Sequence, residues 1–380
     1  MAPGTGDVLA LIRAGEVATR GDILERTGLS RMTVAQRVDR LLDAGLVVEQ
    51  GTDRATGGRR PRRLVFHEQH AHLVAVTVAT RHTRAAVTDL AGRVVARAAV
   101  DVAVADGPER ALDTVVACVR GLLDEAGVSA LAGIGISLPG PVDPATARPS
   151  QPPIMPGWDG YPVTERLEEA FGAPVLVTND ADAEAVGEHG AGPASPALCY
   201  VKVSTGIGVG IVLHGAVYPG ADGGAGDIGH VKLAGHEDAL CRCGARGCLA
   251  AVASGRAVAQ RLRALGHDAA SGRDVRDLLD RGDADATEAT RAAGRTIGQV
   301  LATVVSLLNP STLVLGGDLA STALLAGVRE TIYPLSQARA TRHLDMRVAW
   351  LGEDAGVAGL ARLLVDREFA ADAVNRRLGG

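Results

Sequence analysis

From residue 67 onward, the sequence alternates short apolar runs with longer amphipathic segments, and this alternation restricts most of the chain to an α/β fold. A helix is predicted over residues 108–126, where apolar residues recur along one side at spacings of three and four. It leads to a buried strand over residues 131–137. A last helix over residues 355–366 is expected to pack back on the first lobe of the body. With 380 residues, the chain is long enough for two or three domains with separate cores.

The first 66 residues follow another pattern, which is typical of a small helical domain. Thr19 and Ser30 are good N-cap residues, and they predict helices over residues 20–26 and 31–44 on either side of a turn at Gly28. In the second of these helices, apolar residues at spacings of three and four predict a buried stripe. The stripe consists of Val34, Val38, Leu41 and Leu42.

A glycine turn followed by a capped helix with a polar outer face is typical of a helix-turn-helix, whose second helix enters the major groove of DNA. The residues expected to face DNA from this helix are Arg31, Thr33, Gln36 and Arg37. Two short strands follow, over residues 46–49 and 63–66, and the loop rich in glycine and arginine between them predicts a wing. The wing residues expected to lie against phosphate or in the minor groove are Arg59, Arg60 and Arg62. The alternative is a small helical protein-interaction domain with a solvated basic loop.

Charge is distributed unevenly along the chain. Residues 1–66 carry eleven arginines, no lysine and eight acidic residues, a net charge of +3, whereas the remainder carries −8. A basic N-terminal module on an acidic body favours double-stranded DNA as a partner of the first domain. The sequence has neither a run approaching the roughly 18 apolar residues of a membrane span nor the pattern of a secretory signal. We therefore expect a cytoplasmic protein with no membrane partner.

Three of the five cysteines lie within eight residues and follow a histidine. The candidate metal ligands are His230, Cys241, Cys243 and Cys248. One imidazole and three thiolates form a closed tetrahedral set for Zn²⁺ with no position for an activated water, which indicates a structural metal. The alternative is a loop of reduced cysteines. Cys118 and Cys199 lie in apolar runs and are expected to pack in the core.

Two further segments carry candidate binding groups. The stretch VKVSTGIGVGIV has glycines at positions 206, 208 and 210 between strand-forming residues, and these permit a close approach of the backbone to a ligand. Asn179 and Asp180 follow a predicted strand, and functional groups in open α/β sheets gather at the carboxyl ends of strands. By itself, the glycine-rich stretch is a weak signal, because a hairpin rich in glycine is often only a tight turn.

Taken in order, the motifs PGPVD, ND, STGIGVG, GDIGH, CRCGARGC and LVLGGDLA resemble the ROK family of repressors, open reading frames and sugar kinases. The resemblance covers essentially the whole chain, and the winged helix-turn-helix in front resembles the repressor branch, which responds to sugars such as xylose, glucose or N-acetylglucosamine derivatives. It implies a winged helix over residues 1–66 and a two-lobed, actin-like (ribonuclease-H-like) sugar-kinase body over residues 67–380. The small lobe would comprise about residues 67–180 with a C-terminal helix over 355–370. The large lobe, with the zinc motif, would comprise about residues 181–354.

The resemblance also implies roles for individual residues by position. Asp180 lies where the kinases of the family keep the base that takes a proton from the sugar hydroxyl. The implied sugar contacts are Asn179, Asp180, Asp227 and His230, the last also being a zinc ligand. Gly206 and Gly208 fall in the second phosphate loop, and Gly316 and Gly317 fall in the adenosine loop.

Several positions depart from the kinases of the family. Their first phosphate hairpin carries an aspartate, two glycines and a threonine, and the matching residues here are Thr77, Ala79, Thr80 and Arg81. Phosphoryl transfer depends on positioning the phosphates and on stabilising their charge and metal. We therefore expect catalysis to be lost, ATP and Mg²⁺ not to bind, and the glycine loops to be vestigial. In the sugar pocket, Asp227 and Ala250 stand where the family has glutamates, and the spacing from His230 to Cys241 is one residue shorter than usual.

Three hypotheses remain open from the sequence. The leading one is a sugar-responsive repressor of carbohydrate-metabolism genes, assembled as a homodimer or a dimer of dimers on operator DNA. The second is an ATP-dependent sugar kinase of the hexokinase or glucokinase type with an added DNA-binding domain. The third is a regulator whose pocket has lost its sugar and which answers to a protein partner, as the loss of a glutamate at Ala250 suggests.

Overall fold

The computed structural model describes residues 3–51, 62–128 and 130–379. Its N-terminal part contains α1 (Thr5–Arg13), α2 (Arg20–Thr27), α3 (Arg31–Asp43) and the antiparallel strands β1 (Val47–Gln50) and β2 (Arg63–Phe66). The hydroxyls of Thr19 and Ser30 cap α2 and α3 as the sequence predicts, and Gly28 ends α2 in the left-handed conformation. The helix-turn-helix and its two flanking strands are confirmed.

A five-stranded sheet forms the first lobe of the body, with the strand order β5-β4-β3-β6-β9. Its elements, with one two-stranded ribbon, are β3 (His72–Val78), β4 (His82–Asp89), β5 (Val94–Asp101), α4 (Pro108–Ala126), β6 (Leu131–Leu138), β7 (Val142–Asp143), β8 (Arg148–Pro149), α5 (Val163–Phe171) and β9 (Val175–Asn179). Strands β3, β6 and β9 run parallel, so their carboxyl ends meet at one edge of the sheet. The apolar side of α4 packs on this sheet and forms the core of the lobe.

The second lobe repeats this plan with the strand order β12-β11-β10-β13-β14. Its elements are α6 (Asp180–Ala191), β10 (Ala197–Val203), β11 (Ile207–Leu213), β12 (Ala216–Val217), α7 (Leu249–Ala253), α8 (Gly255–Ala264), α9 (Gly272–Asp280), α10 (Ala284–Leu308), β13 (Thr312–Gly316), α11 (Thr322–Leu335), α12 (Ala338–Thr341) and β14 (Asp345–Val348). Two mixed sheets with helices on their faces agree with the expected α/β body. Among the described residues, the structure contains no helix long and apolar enough to cross a membrane.

Two helices complete the chain, α13 (Ala355–Glu368) and α14 (Ala371–Leu378). Helix α13 packs on β3 and β6 of the first lobe, as the sequence predicts for the last amphipathic segment. It also packs on α6 with the two backbones in contact. A Cβ at Gly187 would collide with the carbonyl of Ala355, and a Cβ at Gly359 would collide with that of Ala183. Both glycines are therefore required for this close helix pair.

Helix α14 was not predicted from the sequence, and it packs on α1 of the winged helix. The backbone N–H of Gly6 donates to Oδ1 of Asn375 at 2.6 Å, and Arg40 donates to the carbonyl of Gly379 at 2.8 Å. Phe369 and Val374 are buried in the same apolar cluster as the core of the winged helix. The winged helix is thus packed on the C-terminal helices and shares a hydrophobic core with them.

Candidate functional site

A cavity of about 1250 Å³ lies between the two lobes, at the carboxyl ends of their parallel strands. We call it the interlobe cavity. It brings together all four residues to which the sequence assigns sugar contacts, namely Asn179, Asp180, Asp227 and His230. The turn of the first hairpin and the glycine loops also line it, except that Gly316 is not among the lining residues. Open α/β folds bind ligands at such an edge.

Asn179 joins β9 to α6 and holds this junction in place. Its Oδ1 accepts the N–H of Ala181 at 2.8 Å and that of Asp182 at 3.4 Å, which caps α6. Its amide group donates to the carbonyl of Gly140 at 2.9 Å. Asn179 therefore has a structural role. Its second amide hydrogen remains available to a ligand such as a sugar.

Asp180 is engaged by a cation that none of the sequence motifs indicated. Its Oδ2 lies 2.8 Å from Nζ of Lys202, which also pairs with Glu184. Burial opposes the charged ammonium, yet the carboxylates of Asp180 and Glu184 outweigh burial and raise the pKa of Lys202. The ammonium group therefore occupies an oxygen of the carboxylate to which the family resemblance assigns the role of base. The available signal was a single lysine within the apolar strand CYVKV.

A third carboxyl group, Asp182, lies beside this pair on the first turn of α6 and lines the cavity. Burial, aided by the charge of Asp180, raises the pKa of Asp182 to about 7. A carboxyl with this pKa is half protonated at neutral pH, so it donates as well as accepts hydrogen bonds there.

His230 connects the cavity to the cysteine cluster. Its Nδ1 lies 3.8 Å from Sγ of Cys241, and its Nε2 lies 3.9 Å from Oδ1 of Asp227. One nitrogen of the ring therefore faces the cluster and the other faces a cavity carboxylate. This arrangement is compatible with both positions that the sequence suggests for His230.

The ligand atoms of the cluster lie within 4.8 Å of one another and could hold a metal ion. Sγ of Cys243 lies 3.7 Å from Sγ of Cys248, and a tetrahedral Zn²⁺ with bonds of about 2.3 Å would set two sulfurs about 3.8 Å apart. Nζ of Lys232 donates to Sγ of Cys248 at 2.8 Å and so places a positive charge beside the cluster. The donor set and its spacing fit a closed tetrahedral site, even though one residue fewer separates His230 from Cys241.

The first hairpin contributes side chains to the cavity where kinases of this kind carry a carboxylate and glycines. A Cβ on Gly356 would lie 2.7 Å from Cγ2 of Thr77, so this threonine packs directly on the first turn of α13. The N–H of Ala79 donates to the carbonyl of His82 at 2.8 Å and is used within the hairpin. Arg81, at the turn, is exposed and faces the cavity. The hairpin therefore serves as packed scaffold and as a support for Arg81.

The glycine loops divide into two groups by their surroundings. A Cβ at Gly316 would collide with the hydroxyl of Tyr200, and Gly317 has φ +83° with Oγ of Ser204 at 2.7 Å from a Cβ placed there. Packing alone accounts for these two glycines. A Cβ at Gly208 would have one neighbour, Ala181, at 3.8 Å, and Gly206 would have none within 4 Å. This second loop leaves room for a ligand to approach its backbone.

The candidate DNA-reading surface is the outer face of α3. Arg31 and Gln36 are exposed, as is Met32 at 72%, which the sequence reasoning did not select. The hydroxyl of Thr33 lies 2.8 Å from that of Ser30. Arg37 deviates from the expectation, because it is half-buried and its Nη1 is enclosed without a partner among the described residues.

The wing is only partly described. Arg62 is exposed and pairs with Glu49 at 2.8 Å. Hydrogen bonds from Arg20 and Arg62 lower the pKa of Glu49, which keeps this carboxylate charged. Arg59 and Arg60 lie outside the described residues. Of the three wing arginines, therefore, only Arg62 has a described position, and its charge is partly offset.

Comparison with known proteins finds a matching family model for each of the two parts of the chain. A model described as the ROK family matches residues 73–367, and one described as the MarR family matches residues 7–59. The chain is 27% identical over 354 residues to the xylose repressor of Bacillus subtilis (strain 168), which covers 92% of this chain and 91% of that protein. It is 32% identical over 266 residues to a glucokinase of Halalkalibacterium halodurans, which covers 65% of this chain and 80% of that protein.

Among solved structures, the crystal structure of a ROK family transcriptional regulator, a homologue of the Escherichia coli MLC protein, has the same fold. It matches with a TM-score of 0.82 and 23% identity and covers 98% of each chain. The match extends over the winged helix as well as the two lobes. Because the ROK model spans more than half of its residues, the chain belongs to the ROK family and joins a ROK body to an N-terminal MarR-type winged helix.

Proposed function

We propose that this chain is a sugar-responsive, DNA-binding transcriptional regulator that represses genes of carbohydrate metabolism. The observation that carries the proposal is the joining, through one shared core, of a capped helix with a polar outer face to a ROK body with a cavity between its lobes. The xylose repressor of Bacillus subtilis, which is similar over 92% of this chain, supports the same assignment. The DNA contacts proposed are Arg31, Thr33, Gln36, Arg37, Arg59, Arg60 and Arg62.

In this proposal, the body binds its ligand and does not transfer phosphate. Oδ2 of Asp180 is occupied by the ammonium group of Lys202 at 2.8 Å. Thr77 packs on α13 where a metal-anchoring carboxylate is expected in the kinases. Without that anchor, Mg²⁺ and the phosphates of ATP lose the charge stabilisation on which phosphoryl transfer depends.

A continuous set of packed helices supports communication between the cavity and the DNA-reading surface. Helix α6 begins at Asp180, beside the cavity, and packs backbone to backbone on α13. Helix α13 leads into α14, which packs on α1 of the winged helix. A ligand that changes the closure of the lobes would displace the winged helix through these contacts, and such couplings typically amount to about 1–3 kcal/mol.

We further propose that the cysteine cluster holds a structural Zn²⁺. When bound, the ion would cross-link the cysteine loop and fix the ring of His230 beside Asp227. We also propose a homodimer, or a dimer of dimers, because two winged helices related by a two-fold axis would match a pseudo-palindromic operator.

The test of this function is binding of the full chain to promoter fragments from its own gene neighbourhood, measured by fluorescence anisotropy at several salt concentrations. We expect the affinity for DNA to fall as the salt concentration rises. Gln36→Ala or Arg31→Ala should weaken binding by roughly ten- to a hundredfold. Arg110→Ala, an exposed change on α4, is the matched control and should leave the affinity unchanged. No shift of any fragment at low salt would overturn the proposal.

A second candidate function, sugar kinase activity, is favoured by the open space at Gly206 and by the glucokinase relative. A coupled assay of ADP release over a panel of hexoses and pentoses separates the two. We expect no turnover above that of the Asp180→Asn variant. Robust turnover that Asp180→Asn abolishes would establish the kinase.

A further inference from the structure

Met32 is an exception among the apolar side chains of the winged helix. It is 72% exposed, whereas the other large apolar side chains of α1, α2 and α3 lie in one core or pack against it. A single exposed apolar residue is common on protein surfaces, so exposure alone assigns no role to it. Its position does, because Met32 is the second residue of α3, the helix that carries the candidate DNA-reading surface.

Met32 and Gln36 lie on the side of α3 that faces away from the core. Successive residues of a helix are rotated by about 100°. On this basis, Met32 lies about 150° and Gln36 about 165° from the mean direction of the buried residues of α3. Both side chains are exposed. Because they are four positions apart, they are neighbours on the helix surface and reach the same ligand side by side.

The charges on this outer face differ between the two halves of α3. Asp39 and Asp43 lie on the same side in the second half and are exposed, and Asp39 pairs with Arg20 at 3.1 Å. Residues 31–38 contain no acidic residue. The phosphates that border a DNA groove repel carboxylates, so the second half of α3 is less suited to enter it. The half that contains Met32 is therefore the part that approaches the base pairs, as in other helix-turn-helix domains.

The major groove offers one kind of apolar group to such a side chain. All base edges there present hydrogen-bond donors or acceptors, and thymine adds a methyl group at C5. The thioether of methionine is only a weak acceptor, so its contact with a polar edge removes water without replacing the lost hydrogen bonds. Contact with the thymine methyl group buries apolar surface on both sides, and the flexible methionine adjusts its shape to it.

We infer that Met32 is a specificity-determining residue that selects thymine in the operator by contact with its 5-methyl group. The inference rests on the proposed function, because it requires α3 to enter the major groove. Gln36 adds a second requirement, since glutamine recognises N6 and N7 of adenine. Four residues span about 6 Å along a helix, and base pairs are stacked about 3.4 Å apart. Each half-site therefore contains a thymine within about two base pairs of the A·T pair that Gln36 recognises.

Promoter fragments in which single thymines are replaced by deoxyuridine test the inference, since this replacement removes only the methyl group. Fluorescence anisotropy measures their binding to the full chain. For the wild type, we expect one thymine in each half-site whose replacement weakens binding by roughly threefold to fivefold. Met32→Ala should weaken binding to the unmodified fragment by at least a similar factor and should lose the sensitivity to deoxyuridine at that thymine. Met32→Leu, which keeps a large apolar side chain, should retain the sensitivity.

Two control variants separate this effect from a general loss of affinity. Gln36→Ala should bind less tightly but should remain sensitive to deoxyuridine at the same thymine. Leu265→Ala changes an apolar side chain of the body that is 61% exposed, and it should bind every fragment as the wild type does. Circular dichroism verifies that Met32→Ala is folded, as expected for a change at an exposed position.

Two results would overturn the inference while the DNA-binding proposal stands. One is a wild type that binds its promoter fragment but loses no affinity when any thymine is replaced. The other is a loss at the same thymine that is equally large in Met32→Ala. If no unmodified fragment binds at all, the proposed function itself fails, and this inference fails with it. Binding of the unmodified fragment thus distinguishes the two kinds of failure.

Discussion

Nζ of Lys202 lies 2.8 Å from Oδ2 of Asp180, and both side chains are about 85% buried, with 16% and 15% of their surface exposed. The carboxylate of Glu184 completes the network from the other side. A buried ion pair is costly to break, because removal of one partner leaves an uncompensated charge away from water. The pair therefore stabilises the cavity wall while it occupies the carboxylate that a kinase would use as a base.

For this network we expect Lys202→Met to lower the free energy of unfolding by about 3–5 kcal/mol, since it leaves two buried carboxylates without a cation. Urea unfolding followed by circular dichroism measures the change. The triple variant Lys202→Met, Asp180→Asn, Glu184→Gln should recover most of the loss. Arg97→Met, which breaks an exposed pair with Asp354, should cost less than about 1 kcal/mol. A loss for Lys202→Met as small as that of Arg97→Met would contradict this account.

Asp182 predicts a pH dependence of stability. Burial and the charge of Asp180 raise the pKa of Asp182 to about 7 in the folded protein, above the value of about 3.9 of an unfolded chain. The folded state thus binds the proton more tightly, and its stability falls as the pH rises from about 4 to about 7. Asp182→Asn removes this loss. Relative to the wild type, the free energy of unfolding of the variant should therefore increase by an amount on the order of a few kcal/mol as the pH rises through this window.

Urea unfolding of both proteins at pH 5 and pH 8 measures the difference. The exposed change Glu169→Gln on α5 is the control and should show no such widening of the gap. If the difference in free energy of unfolding between Asp182→Asn and the wild type stays constant from pH 5 to pH 8, Asp182 has an ordinary pKa in the folded chain and this prediction is wrong.

The contact between α1 and α14 gives a third prediction. Asn375→Ala removes the acceptor of the Gly6 N–H and should destabilise the junction by about 1–3 kcal/mol. Hydrogen exchange of the α1 amides should accelerate, and binding to promoter DNA should respond less to effector. Arg376→Ala, on the exposed side of the same helix, is the control. Unchanged exchange in α1 would mean that α14 does not hold the winged helix.

The cysteine cluster gives a fourth prediction. We expect the purified chain to carry one zinc ion, measured by elemental analysis, and Cys243→Ser to lose it and to unfold at a lower temperature. Cys118→Ser changes a cysteine outside the cluster and should retain the metal. Zinc retained in full by Cys243→Ser would argue against the tetrahedral set.

Features with a local cause could be predicted from the sequence. The helices α2 and α3 begin at Thr19 and Ser30, because these hydroxyls bond backbone N–H groups only three residues away. The apolar stripes of α4 and α13 likewise lie within single segments. Each of these signals needs no knowledge of the rest of the fold.

Features that depend on distant partners could not be predicted. Helix α14 has only eight residues, and its position follows from α1 at the other end of the sequence. The pairing of Lys202 with Asp180 follows from how β10 packs against α6. Arg37 was expected on the outer face of α3 and is half-buried, because helical spacing gives the direction of a side chain but not what packs over it.

The hydrogen bond between Gly6 and Asn375 joins residues that are 369 positions apart. A ribosome adding about 5–20 residues per second needs roughly 20–70 seconds to make the segment between them. During that interval, the newly made winged helix exists without the helix on which it will pack. Translation that stops short of α14 would therefore release a product with a complete winged helix that lacks the helix on which it packs, and only copies that include α14 would acquire the docked geometry.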